Sequence, residues 1–140
     1  MTEAHDMTRS ARGFSLIELM FVMACVGVLV AWGLPHYQSL MQRHHRAQAR
    51  TALLQMAHWM ERSASANGSY PLPQELPASL LSNPDLSYQF SVISTSYTYT
   101  LMATPTGTQT QDMCGTLTLN HAGVRDVKNA NISANECWQR

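Results

Sequence analysis

A chain of 140 residues has room for one domain with a single good core. Nine Lys and Arg balance nine Asp and Glu, so no global field draws the chain to nucleic acid or to an anionic membrane. The charge is local, and the remainder is rich in Thr, Ser, Asn and Gln with few Lys. That composition suits an exposed, strand-forming domain outside the cytoplasm.

Residues 1–13 (MTEAHDMTRSARG) are polar and short, and read as a leader outside the fold. Met7 is an alternative start, giving the basic leader MTRSARG. From Phe14 to Leu34 the chain is apolar and meets the roughly 20 residues that a hydrocarbon span needs. One acid, Glu18, lies just inside. A carboxylate at mid-membrane costs roughly 2.5–3.5 kcal/mol on insertion scales and less near an edge. Its retention calls for a partner. Gly13 precedes the apolar run, whereas a secretory signal carries its small cleavage residues after it. Cleavage after Gly13 leaves the whole run on the mature chain, with Phe14 first.

Here the residues resemble a known family. Arg12-Gly13-Phe14-Ser15-Leu16-Ile17-Glu18-Leu19 looks like the processing site of type IV prepilins, and the short leader and Phe14 resemble the type IVa group. The resemblance implies that a prepilin peptidase cuts after Gly13 and N-methylates Phe14, and that Glu18 is needed for filament assembly. An amine at Phe14 is cationic and lies near Glu18, or near the acid of a neighbouring subunit. Between subunits such a pair would offset the desolvation of both groups and set axial register. The bland alternative is a Glu18 that snorkels to the interface. The partners implied are other pilin subunits, the peptidase/N-methyltransferase, an inner-membrane assembly platform and, before assembly, the membrane itself.

Arg9 and Arg12 hold the N-terminus in the cytoplasm by the positive-inside bias, although Arg43, Arg46 and Arg50 on the far side weaken that argument. The expected location is the inner membrane, single-pass with a periplasmic C-terminal part, and then the extracellular pilus. Gly27 and Pro35 interrupt the helix, since Pro35 cannot donate to the carbonyl of Ala31. A flexible joint is expected between them. Cys25, inside this run, reads as a small apolar residue.

After Pro35, the residues Ala49, Ala52, Leu53, Met56, Ala57, Met60 and Ala64 recur at helical spacing on one face. Asn67-Gly68 is a helix stop. Arg43, Arg46 and Arg50 share another face, read either as a contact for neighbouring acids or phospholipid headgroups, or as a solvated face. His44 and His45 are adjacent and point apart, so they form no metal pair. Pro71 to Pro84 reads as a surface loop. Asn67-Gly68-Ser69 and Asn131-Ile132-Ser133 match the glycosylation sequon by chance.

Strands are expected over Leu86–Ser94 and Ser96–Thr104, with Tyr97, Tyr99, Leu101 and Ala103 on one face. Gly115–Asn120 alternates too, and His121-Ala122-Gly123 is a turn. The pattern Tyr99…Pro105-Thr106-Gly107…Asp112…Cys114-Gly115-Thr116-Leu117-Thr118-Leu119…Gly123 resembles the C-terminal half of PilE-like pilins. If this part lies outside the cytoplasm, a bridge between Cys114 and Cys137 is the natural reading, against two unpaired thiols. Such a bridge is worth about 3 kcal/mol in the chain-entropy model, and by the resemblance it bounds the C-terminal region. Trp138 beside it reads as a packing residue or an exposed contact.

The fold class read from these elements is α+β, and the resemblance implies the pilin fold: a long N-terminal helix packed against a four-stranded antiparallel sheet. The divisions are a leader (1–13), a membrane and filament-core half of the helix (14–35), an amphipathic half (36–66), a loop (67–85), and the sheet with its C-terminal region (86–140). Nothing resembles an enzyme, and no cofactor or metal site is indicated. The first functional reading is a structural subunit of type IV pili, a PilE-like minor pilin supporting assembly, adhesion and twitching motility. The alternatives are a DNA-receptor pilin, with Arg125, Lys128 and Arg140 as the phosphate contacts, and a pseudopilin of type II secretion. Three cations make a thin DNA site.

Overall fold

The computed structural model describes residues 13–81 and 87–139, with backbone only at 34 and 35. Arg9, Arg12, Arg140, Leu86 and the neighbouring part of the proline-rich loop lie outside the described residues, as does the side chain of Pro35. The chain divides into two compact units, Met1–Gln38 and Ser39–Arg140.

In the first unit the apolar run is helical. Helix α1 spans Leu16–Asn67 and is continuous across Gly27 and Pro35. Any joint at those residues is therefore a matter of mobility and not of a broken helix. An 18-residue window of this segment has a mean hydropathy of 2.2 and none of it is buried. By length and composition it can cross a membrane.

In the second unit the C-terminal part of α1 lies on a sheet. Strands β1 (Tyr88–Ser94), β2 (Tyr99–Pro105), β3 (Thr116–Asn120) and β4 (Arg125–Lys128) follow one another in the order β1-β2-β3-β4. Every neighbouring pair is antiparallel. The register puts Phe90 opposite Ala103, Val92 and Leu119 opposite Leu101, and Leu117 opposite Ala103 and Val127. Because strand side chains alternate, these residues share one face. Against that face α1 sets Ala49, Leu53, Met56 and Met60, all buried, with Ala52 and Ala57 packed beside them. The helical stripe read from the sequence is the core stripe. Truncating Leu53 or Met56 to Ala should cost about 2–5 kcal/mol.

Local chemistry accounts for the connections. α1 stops where Gly68 turns to φ 78° and donates its N–H to Ala64 O at 2.8 Å, a left-handed cap that glycine adopts without strain. The loop that follows holds a 3-10 turn, Pro73–Glu75, and the short helix α2 (Ala78–Leu81). Between β1 and β2, Thr95 Oγ1 accepts from the amides of Tyr97 and Thr98 at 3.3 and 3.1 Å. Tyr97 therefore sits in the turn and is 84% exposed. This corrects the expectation that it shares the face of Tyr99, Leu101 and Ala103. Between β3 and β4, Asn120 Oδ1 accepts from Ala122 and Val124 at 3.0 and 2.9 Å, closing the turn at His121–Gly123. Helix α3 (Ala134–Gln139) packs on β4.

Candidate functional site

Three regions carry chemistry. The first is the N-terminal end of α1. Gly13 and Phe14 precede the helix, and Phe14 is 82% exposed. Glu18 lies in the first turn and its amide donates to Ser15 O at 3.1 Å. Leu16, Ile17, Leu19, Met20, Phe21 and their successors to Trp32 are bare. A surface of this kind needs a cover of lipid or of other helices. Cys25 is a free, exposed thiol.

The second is a buried polar network that sequence reasoning missed. Arg46 is 7% exposed and Asp112 equally so. The Arg46 guanidinium donates through Nε to Asp112 Oδ2 and through Nη2 to Oδ1, both at 3.0 Å. Such a two-pronged pair is the strong form of the interaction. Tyr88 Oη donates to Asp112 Oδ2 at 3.4 Å, and Gln109 Nε2 reaches the same oxygen at 3.1 Å, Tyr88 Oη at 3.0 Å and Gln42 O at 3.1 Å. Burial above all pushes the Tyr88 phenol up to about 12, with the Asp112 carboxylate adding to it and the Gln109 hydrogen bond opposing it. Asp112 stands in the C-terminal pattern read from the sequence, but its pairing gave no signal there, because its partner lies 66 residues away. At the other end of the helix, Glu61 accepts from Tyr70 and Tyr99, each at 3.0 Å. Burial and the adjacent Glu61 raise both phenols above their ordinary value.

The third is the C-terminal clip. Cys114 and Cys137 are disulfide-bonded, tying α3 to the residues just before β3. Trp138 is 8% exposed and so packs inward. Its Nε1 donates to Asp126 O at 3.1 Å, its carbonyl accepts from Arg50 Nη1 at 2.5 Å, and the Arg125 guanidinium lies 5.5 Å from its ring centre. Gly115, with φ 54°, lies so close to the chain that a Cβ would fall 2.4 Å from Lys128 O. Only glycine fits there.

These contacts revise two expectations. Of Arg43, Arg46 and Arg50, only Arg43 faces solvent; the other two bind within their own subunit, because the loop before β3 and helix α3 lie over that flank of α1. Arg125 and Lys128 do not form one patch. Arg125 stands opposite Leu119 on the core-facing side of the sheet, and Lys128 stands opposite Thr116 on the other side. Arg140 is outside the described residues.

Residues 8–34 match the family described as the prokaryotic N-terminal methylation motif, and residues 35–118 match the family described as type IV minor pilin ComP, DNA uptake sequence receptor. A type IV pilin from Shewanella oneidensis is 36% identical, with a TM-score of 0.55 over 71% of this chain and 99% of that one. The non-core minor pilin PilV of Neisseria meningitidis is 28% identical, with a TM-score of 0.54 over 69% of this chain and 95% of its own. With its methylation motif, bare N-terminal helix and disulfide-tied four-stranded sheet, the chain belongs to the type IV pilins, as a minor pilin.

Proposed function

We propose that this minor pilin captures DNA at the surface of a type IV pilus and feeds it to uptake. The observation that carries the reading is the match of residues 35–118 to a family described as a DNA uptake sequence receptor. Charge accounting supports it. Removal of the leader leaves seven cations and seven acids. Glu18 lies in the apolar helix, so the second unit carries seven cations against six acids, and the Arg46–Asp112 pair cancels inside it. The second unit is therefore one positive charge richer than the overall balance suggests.

The polymerisation route goes with this reading. A peptidase cuts after Gly13 and methylates Phe14, Glu18 pairs with the new amine of a neighbour, and the bare helix leaves lipid for the filament core. The second unit faces the periplasm before assembly. No catalytic step is assigned to the chain.

The test is DNA binding by the full chain in a non-ionic detergent across a series of salt concentrations. A DNA receptor binds at low salt and loses affinity steeply as salt rises, because phosphate contacts release counterions. No binding at the lowest salt would return the protein to the plainer reading, a PilE-like subunit for assembly, adhesion and motility. The neutral composition and the likeness to a non-core minor pilin favour that second reading.

A further inference from the structure

We infer that Arg50 and Arg125, with Trp138 between them, form a seat for a backbone phosphate of DNA. The inference rests on the DNA-capture reading above and assigns its contact residues. Ala47, Arg50, Thr51, Leu54, Arg125 and Trp138 line one cleft between α1 and the end of β4. Two arginines line it, and among the described residues no acid does.

Both arginines are held in place, and both keep donors to spare. Arg50 uses Nη1 on the Trp138 carbonyl, which leaves other N–H groups of its five free to donate. Arg125 lies over the Trp138 ring, a cation–π contact that fixes the guanidinium without using its N–H edge. Among the described residues the one ion pair is Arg46–Asp112, and neither cleft arginine has a carboxylate partner there. Asp126 is next to Arg125 in sequence, but strand alternation puts its side chain on the other face. The cations also oppose one another. Arg50 is held below the ordinary arginine range, first by burial and then by the nearby Arg46 and Arg125, with Tyr88 acting the other way. An anion in the cleft relieves that repulsion.

The shape suits a phosphodiester. Planar guanidinium forks match the two unbridged oxygens of a phosphate. Lys128, on the opposite face of the sheet, takes no part.

The experiment is a titration of duplex DNA against the full chain in a non-ionic detergent, at several salt concentrations, for the wild type, R125Q, R125K and K128Q. Arg125→Gln should weaken binding several-fold and reduce the slope of log affinity against log salt by about 0.9, the contribution of one phosphate contact. Arg125→Lys should keep most of the slope, and Lys128→Gln should match the wild type. Equal thermal unfolding of R125Q and wild type separates lost contact from lost fold. If the wild type binds and R125Q binds equally well, or if K128Q carries the loss, the seat is refuted while DNA capture stands. If the wild type binds no DNA at the lowest salt, both fall together.

Discussion

Asp112 holds Arg46, Tyr88 and Gln109 at a single carboxylate inside the second unit. Breaking a buried ion pair on one side leaves the other charge uncompensated, at a cost of about 3–5 kcal/mol. Asp112→Ala should therefore lower stability by about that much in urea unfolding, and Arg46→Met in the same background should recover part of it. The pH dependence follows from Tyr88. Its phenol ionises near 10 when unfolded and near 12 when folded, so both states are protonated below pH 10 and the full stability is present there. Between pH 10 and about 12 the unfolded chain ionises first, and stability falls as pH rises. Alkaline titration of tyrosinate absorbance should show this lag, and Tyr88→Phe should remove its share. Gly115→Ala should also be costly, combining a left-handed φ worth about 1–3 kcal/mol with a collision against the Lys128 and Asn129 carbonyl oxygens. None of this was legible beforehand. A helical wheel assigns Arg46 and Arg50 to a face without telling which elements overlie it, and a lone Asp112 names no partner.

At the scale of elements, α1 is where sequence and structure agree most closely. The 3.6-residue period selected Ala49, Leu53, Met56 and Met60, because a helix laid on a sheet has one dry stripe and apolar residues mark it. The strands were legible from alternation, and the β3–β4 turn from Gly123. Tyr97 misled because its neighbours alternate convincingly, while the Thr95 hydroxyl had already claimed the turn. The N-terminal half of the helix carries two predictions. Glu18→Val should deplete the protein from sheared filaments while leaving its level in the membrane unchanged. Amide exchange across 27–35 should be faster than across 45–60, because Pro35 lacks the N–H that would bond one turn back. Equal protection of the two stretches would remove the joint.

For the molecule as a whole, the fold class followed from the order of its parts: one long helix, then alternating strands with turn signals, then a cysteine-bounded tail. The candidate site was only half legible. The proposed processing residues lie in one contiguous motif, within the stretch 8–34 that matches the methylation-motif family. The cations of the DNA reading could not be sorted, because faces of a sheet exist only once register is set, and register put Arg125 and Lys128 on opposite sides. Those long-range contacts also bear on how the chain comes to be folded. Arg50 meets Trp138 across 88 residues, and Arg46 meets Asp112 across 66. The helix emerges before the strands, yet its apolar stripe, the buried Arg46 and the half-buried Arg50 lack full cover until β3, β4 and α3 arrive. Closure of the second unit thus waits on residues 112 to 138, far along the chain from the arginines they cover. Until those residues are made, that flank of α1 stays open. Chains stalled before Cys137 should be degraded, and pulse-labelling with protease challenge would show resistance gained only once Cys137 and Trp138 are made.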